Sequence, residues 1–244
     1  MFNFIPFTVI GDPNYEASLE IVRAYVENGA TMLELGVPFT DPVADGPVVQ
    51  LADHRALAAG MQTDRALEFV RDVRKFTNIP IGLLVYYNSV FKLGAQNFYS
   101  KAAEVGVTSV LIADLPLEVP RCAEALALAK QYELDQIFIV SELTSPERLS
   151  RILEVATGFL YFVSTPGVTG VRTQLSTELP SAIARIKAQT DLPVLVGFGV
   201  SEREHVELIQ KAGADGAIVG SRLVRLIEED RVDEIPTVMA ELLG

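Results

Sequence analysis

Three carboxylates close together, Glu34, Asp41 and Asp45, mark the stretch on which the chemistry of this chain turns. Glu34 interrupts an apolar run, residues 31–36, of strand-like composition. Asp41 and Asp45 follow in a loop punctuated by Pro38, Pro42 and Pro47. An unpaired charge in a buried strand costs several kcal/mol. One bland account is a Glu34 neutralised by a buried arginine or by backbone amides, since structural networks also perturb carboxylates. A second carboxylate on a proline-rich loop leaving the same strand favours the other account. One dry and one wet carboxyl side by side is the arrangement that acid/base chemistry requires.

Such a pair needs a frame. With 244 residues, 49% of them hydrophobic, the chain has material for a sizeable core in a single domain, residues 1–244. No apolar run reaches the ~18 residues of a membrane span. The start, Met1-Phe2-Asn3-Phe4-Ile5, lacks a basic region and a small-residue cleavage site, so no signal peptide is expected. The lone cysteine, Cys122, falls in a helical pattern, which suits a packed thiol in a reducing cytoplasm. A formal charge of −12 argues against a nucleic-acid binder, and it requires that an anionic substrate be held by local backbone donors. His54 and His205 lie far apart in helical patterns, with no His/Cys cluster, so no metal site is expected.

Strand-like and helix-like segments alternate along the chain. Strands are predicted at 5–10, 31–36, 79–86, 109–113, 136–140, 159–163, 194–197 and 217–219. Helical periodicity falls at 15–28, 48–59, 63–76, 95–105, 119–131, 146–155, 177–188, 203–212 and 233–243. The strands are continuous apolar runs, as expected when both faces are covered. Eight βα units in ~250 residues is the count for a closed (β/α)8 TIM barrel, whose active sites sit on the loops after the strands. A doubly wound open sheet is the alternative. It would want a dinucleotide fingerprint after the first strand, where Gly11-Asp12-Pro13-Asn14 stands. Glycines before strands, as in Asn28-Gly29-Ala30 and Val105-Gly106-Val107, read as helix C-caps.

On a barrel, the strand ends carry the function. Strand 1 ends in Gly11-Asp12-Pro13, strand 4 in Asp114-Leu115-Pro116 and strand 5 in Ser141-Glu142. Strand 6 runs into residues 164–173, a loop long enough to act as a lid. Strand 7 ends in Gly197-Phe198-Gly199-Val200-Ser201 and strand 8 in Gly220-Ser221-Arg222. Barrels of this kind often hold phosphate on loops 7 and 8 and the N-terminus of a short extra helix. Glycines let the backbone approach the anion, and free amides with the helix dipole attract it. Gly197, Gly199, Gly220 and Ser221 fit that role, with Gly170 placed to close over it. These turns are otherwise plain βα turns.

The remaining chemistry follows by elimination. No lysine lies at a predicted strand end, which argues against a Schiff-base aldolase. The lack of a ligand cluster argues equally against a Lewis-acid one. Carboxylates, Tyr161, apolar walls and a phosphate cradle can move protons. They can break a carbon–carbon bond only if the substrate supplies its own electron sink.

The run Leu33-Glu34-Leu35-Gly36-Val37-Pro38-Phe39-Thr40-Asp41-Pro42, continued by Ala44-Asp45-Gly46-Pro47, resembles the signature of the tryptophan synthase alpha subunit family. So do Ile81-Gly82-Leu83-Leu84-Val85-Tyr86, Ala113-Asp114-Leu115-Pro116, Gly167-Val168-Thr169-Gly170 and Gly197-Phe198-Gly199-Val200-Ser201, over nearly the whole chain and in order. That family cleaves indole-3-glycerol phosphate to indole and glyceraldehyde 3-phosphate without metal or organic cofactor, and the indole ring is the sink. The resemblance implies that Glu34 protonates the indole C3 and takes the glycerol hydroxyl proton. It implies that Asp45 accepts from the indole N–H. Phe7 and Tyr161 would line the indole pocket, with Tyr161 also placing Glu34. Thr169, Gly170, Gly197, Phe198, Gly199, Gly220 and Ser221 would bind the rest of the substrate, chiefly its phosphate. The implied partner is a pyridoxal-phosphate beta subunit in an alpha-beta-beta-alpha complex, faced by Pro38, Asp41 and Asp114.

The chain departs from the family pattern in places. Strand 1 ends Val9-Ile10-Gly11-Asp12-Pro13 where many relatives read Thr-Ala-Gly-Asp-Pro. Strand 5 ends in Ser141-Glu142-Leu143 rather than Ala-Pro-Thr, adding a carboxylate near the site. Loop 6 has Thr165-Pro166 where a basic residue is common, and the start leaves little room for a helix ahead of strand 1. None of these removes a proposed catalytic group. A free-standing indole-releasing lyase, or a weakly active barrel kept to bind and activate a partner, remains open on the sequence. Retention of Glu34 and Asp45 speaks against the second. Another phosphosugar enzyme on the same fold would not need a pocket lined by Phe7, Phe39 and Tyr161.

Overall fold

A computed structural model describes residues 2–164, 178–197 and 199–244. Eight parallel strands close into a barrel in sequence order: β1 (Asn3–Val9), β2 (Leu33–Gly36), β3 (Ile81–Val85), β4 (Ser109–Ile112), β5 (Asp135–Ser141), β6 (Leu160–Val163), β7 (Val194–Gly197) and β8 (Gly216–Val219). The helices packed outside are α1 (Tyr15–Glu27), α2 (Pro47–Ala58), α3 (Thr63–Val73), α4 (Tyr87–Leu93), α5 (Ala95–Glu104), α6 (Pro120–Gln131), α7 (Pro146–Leu153), α8 (Leu179–Lys187), α9 (Arg203–Lys211), α10 (Ser221–Glu228) and α11 (Ile235–Leu243). The (β/α)8 reading of the sequence is therefore the fold observed. Among the described residues no helix is long and apolar enough to cross a membrane.

Local chemistry sets the helix starts. Asn14 caps α1 by accepting the Ala17 amide at 3.0 Å, and Ser145 caps α7 through the Arg148 amide at 3.2 Å, with Pro146 in the first turn. Pro47 likewise opens α2, so Asp45 lies immediately before a helix whose N-cap is Gly46. At the opposite end of the barrel, Gly106 turns the chain from α5 into β4 at φ +88°, and a Cβ there would sit 2.9 Å from the Arg74 guanidinium.

β2, β3 and β6 begin one or two residues later than their apolar runs suggest, whereas β1, β5 and β8 begin one or two earlier. Thr31 precedes β2 and bridges to Phe4, its hydroxyl accepting the Phe4 amide at 3.0 Å. Two helices lie outside the predicted set. In α4, Tyr87 and Phe91 pair on the outer face beneath the Arg121 guanidinium at 5.3 and 5.2 Å, so its apolar residues form no single inward stripe. α10 buries Leu223, Val224, Leu226 and Ile227, but it starts directly after β8 with no loop to separate the two patterns.

Register decides which side chains share the barrel interior. Phe7 pairs with Glu34, Glu34 with Gly82, Tyr161 with Leu195, and Ile5 with Ile218. Because alternate residues along a strand face the same side, Phe7, Glu34, Gly36, Leu84, Tyr161, Gly197 and Ile218 all point inward.

Candidate active site

β2 carries Glu34 into this interior, where it is 4% exposed. Burial is the largest influence on its carboxyl, the nearby Asp45 charge adds to it, and together they push the pKa up to about 8, against the opposing effect of a hydrogen bond donated by the Tyr161 hydroxyl. Its Oε2 has no partner among the described residues. A buried carboxyl with one oxygen bonded and the other unbonded holds a proton near neutrality and has a direction in which to give it.

Asp45 approaches from the other side of the opening. The Tyr86 hydroxyl donates to its Oδ2 at 2.7 Å and accepts the Ala44 amide at 3.0 Å, so one phenol fixes both the loop and the carboxyl. Gln50 donates to the Asp45 carbonyl at 2.7 Å from the first turns of α2. Burial raises the Asp45 pKa, and the Tyr86 hydrogen bond restrains that rise.

Between the carboxyls lies a cavity of about 200 Å³ with Phe7, Val49, Leu84, Tyr161 and Ile218 as apolar walls. Gly199, Val200, Ser201, Gly220 and Ser221, where α10 begins, complete its lining. Glycines create this space. A Cβ on Gly36 would meet the Phe7 ring at 2.9 Å, and one on Gly220 would meet it at 3.2 Å. The trough therefore combines two carboxyls that face each other, aromatic and aliphatic walls, and backbone amides of a helix N-terminus. It suits a flat apolar ring with a polar edge, linked to an anion.

A family model described as "Tryptophan synthase alpha chain" matches residues 2–243. A tryptophan synthase alpha chain from Methanothermobacter thermautotrophicus is 54% identical over 224 residues, 92% of this chain and 82% of that one. This chain belongs to the tryptophan synthase alpha family. Among solved structures, the Pyrococcus furiosus tryptophan synthase A-subunit superposes with a TM-score of 0.92 at 36% identity, covering 100% of both chains. A subunit of the tryptophan synthase a2b2 complex of the same organism superposes with a TM-score of 0.89 at 35% identity, again over 100% of both.

The alpha-family barrel gathers most of the residues named from the sequence, though not all in the expected way. Glu34, Asp45, Phe7, Tyr161, Gly199, Gly220 and Ser221 meet in one cavity. Thr169, Gly170 and Phe198 lie outside the described residues. Gly197 is not part of the cavity wall: a Cβ there would lie 2.4 Å from the Tyr161 hydroxyl, so this glycine makes room for the tyrosine that binds Glu34. Phe39 is not a wall either. It stacks on Tyr86 with centroids 5.0 Å apart and planes 19° apart, and it faces a separate groove with Pro38 and Thr40. Asp12, at the end of β1, is fully buried in a bidentate pair with Arg55 at 2.7 and 2.8 Å, a structural tie between β1 and α2. Glu142 is absent from the cavity lining. Of the residues assigned to a partner surface, Asp41 and Asp114 are exposed while Pro38 is buried within this chain. Asp114 accepts the Tyr87 amide at 2.6 Å and so caps the start of α4.

Sequence reasoning missed Tyr86, Val49, Leu84 and Ile218. Leu84 and Ile218 follow from inward alternation once register is known, which a continuous apolar run conceals. Val49 needed the start of α2 to be placed at Pro47. β3 ends at Val85, whereas Tyr86 falls at the end of the apolar run 79–86 and so reads as strand. Its polar tip beside an apolar run was the available signal.

Proposed function

We propose that Glu34 and Asp45 divide the proton and charge work of a retro-aldol cleavage of indole-3-glycerol phosphate, the reaction of the alpha family. Glu34, protonated near neutrality, gives its proton to indole C3, and Asp45 accepts the hydrogen bond of the ring N–H and stabilises the positive charge that appears there. The ionised Glu34 then takes the proton of the glycerol hydroxyl next to the bond that breaks. That carbon becomes the aldehyde of glyceraldehyde 3-phosphate, the bonding electrons return to the ring, and free indole leaves with Glu34 reprotonated. Phe7 and Tyr161 hold the ring, and the amides at Gly199, Gly220 and Ser221 hold the phosphate. No metal or organic cofactor has a step in this sequence. The observation that carries the reading is the buried Glu34, with its free oxygen, facing Asp45 across an apolar trough.

We assign a pyridoxal-phosphate beta subunit as the partner that receives the indole. In support, large apolar side chains stand exposed on loops at the catalytic end: Val43, 82% exposed, beside Asp41, and Leu143, 83% exposed, after β5. The polar Asp41 and Asp114 rim that face, and a cytoplasmic setting fits this reading. The direct test is to incubate the purified chain with indole-3-glycerol phosphate, with and without a beta subunit, and follow both products. Slow cleavage that rises sharply with the partner is expected. Fast cleavage by the chain alone would mean a free-standing lyase, and none in either condition would refute the assignment.

A further inference from the structure

We propose that Asp53 is a positioning residue for Asp45, holding the loop between β2 and α2 in the shape that turns the Asp45 carboxyl into the cavity. Asp53 lies on α2, 4% exposed and outside the cavity lining. Its Oδ1 accepts the Phe39 amide at 3.3 Å, where the chain leaves β2. The Phe39 ring stacks on Tyr86, and Tyr86 binds the Ala44 amide and the Asp45 carboxyl. These contacts form one continuous path from Asp53 to Asp45, with Asp53 holding the start of the loop and Tyr86 its end.

The alternatives explain Asp53 poorly. A buried carboxyl is a costly way to hold one amide, and no cation among the described residues offsets it. Arg55, two residues along, directs its donors to Asp12, and Oδ2 of Asp53 has no partner among the described residues. The charged groups acting on Asp53 are Asp45 from the loop and Asp12 from the end of β1, with Arg55 and Glu228 bearing on Asp12 in turn. Burial and the two aspartates together push its pKa up to about 7. An apolar side chain would fill the same space without that penalty. What the position supplies is therefore the acceptor, aimed at the catalytic loop.

The inference rests on Asp45 working in the proposed reaction, so its test has one readout that needs no substrate. Asp53→Ala and the isosteric Asp53→Asn are made in the natural chain and in Asp45→Asn. Amide hydrogen exchange at Phe39 and Ala44 is measured beside cleavage kinetics. Asp53→Ala is expected to raise exchange at these amides about tenfold and to lower kcat about tenfold or more, with KM within about twofold. Asp53→Asn keeps an oxygen that accepts the Phe39 amide, so it stays within about threefold of the natural chain on both measures. In the Asp45→Asn background, Asp53→Ala adds less than about threefold to the loss, because the two act as one unit. Unchanged exchange in Asp53→Ala, or an equal loss of kcat with and without Asp45, would overturn the proposal. A natural chain that cleaves nothing, with or without a beta subunit, would instead overturn the assigned reaction, and the exchange at Phe39 would then decide the role of Asp53 alone.

Discussion

Glu34 shows how far one residue could be understood before any fold was known. A carboxylate inside an apolar strand was conspicuous in the sequence, and its separation from Asp45 suggested two environments. What the sequence did not contain was the path of the rings: Tyr161 comes from β6, and it reaches Glu34 only because residue 197, on β7, is glycine. The acid role has a direct consequence. Glu34→Gln preserves size and polarity but cannot transfer a proton, so cleavage should fall by about 10²–10⁴-fold, measured as indole release under substrate saturation. Asp45→Asn keeps a hydrogen-bond acceptor and loses only the charge, so its loss should be smaller in the same assay. With the Glu34 pKa pushed up to about 8, the acid is protonated below that pH and ionised above it. The rate should therefore decline on the alkaline side of ~8, with the limb abolished in the residual activity of Glu34→Gln. A rate that rises through that range would remove Glu34 from the acid role.

At the scale of elements, the alternation of βα units was legible because the strands, buried on both faces, are written as largely apolar runs. The same property hid which residues point inward, since a continuous run has no alternation to read. The short helices α4 and α10 were hidden for other reasons, one by its outward-facing aromatic pair and the other by its junction with β8. The pairing of β6 with β7 makes a sharp prediction. Gly197→Ala adds a Cβ 2.4 Å from the Tyr161 hydroxyl and 2.6 Å from its ring, so the ring must leave its place and with it the bond to Glu34. Activity should drop about tenfold or more while the barrel still folds, and circular dichroism beside the cleavage assay separates the two effects. The chain contains no tryptophan, so binding of an indole-3-alkyl phosphate can also be followed by the emission of its own indole.

At the scale of the whole molecule, the carboxyls around the opening trade stability for function. A group whose folded pKa lies above its unfolded one binds its proton more tightly when folded, so stability falls as pH rises through the interval. For Glu34 that interval runs from its ordinary value of 4.5 up to about 8. Glu34→Gln should thus be more stable than the natural chain by a few kcal/mol at pH 8 and nearly equal to it below pH ~4.5, as read from denaturant midpoints at the two pH values. The layout of the trough has one more effect. Its two carboxyls and the amides at Gly199, Gly220 and Ser221 line one cavity with unlike walls, Phe7 on one strand and Tyr161 on another. A substrate anchored by its phosphate at one end and its ring nitrogen at the other cannot turn over, so only one face of its reacting carbon meets Glu34. Run backwards from indole and an aldehyde phosphate, the barrel would then join the two with a single handedness, making it a stereoselective synthetic catalyst as well as a lyase.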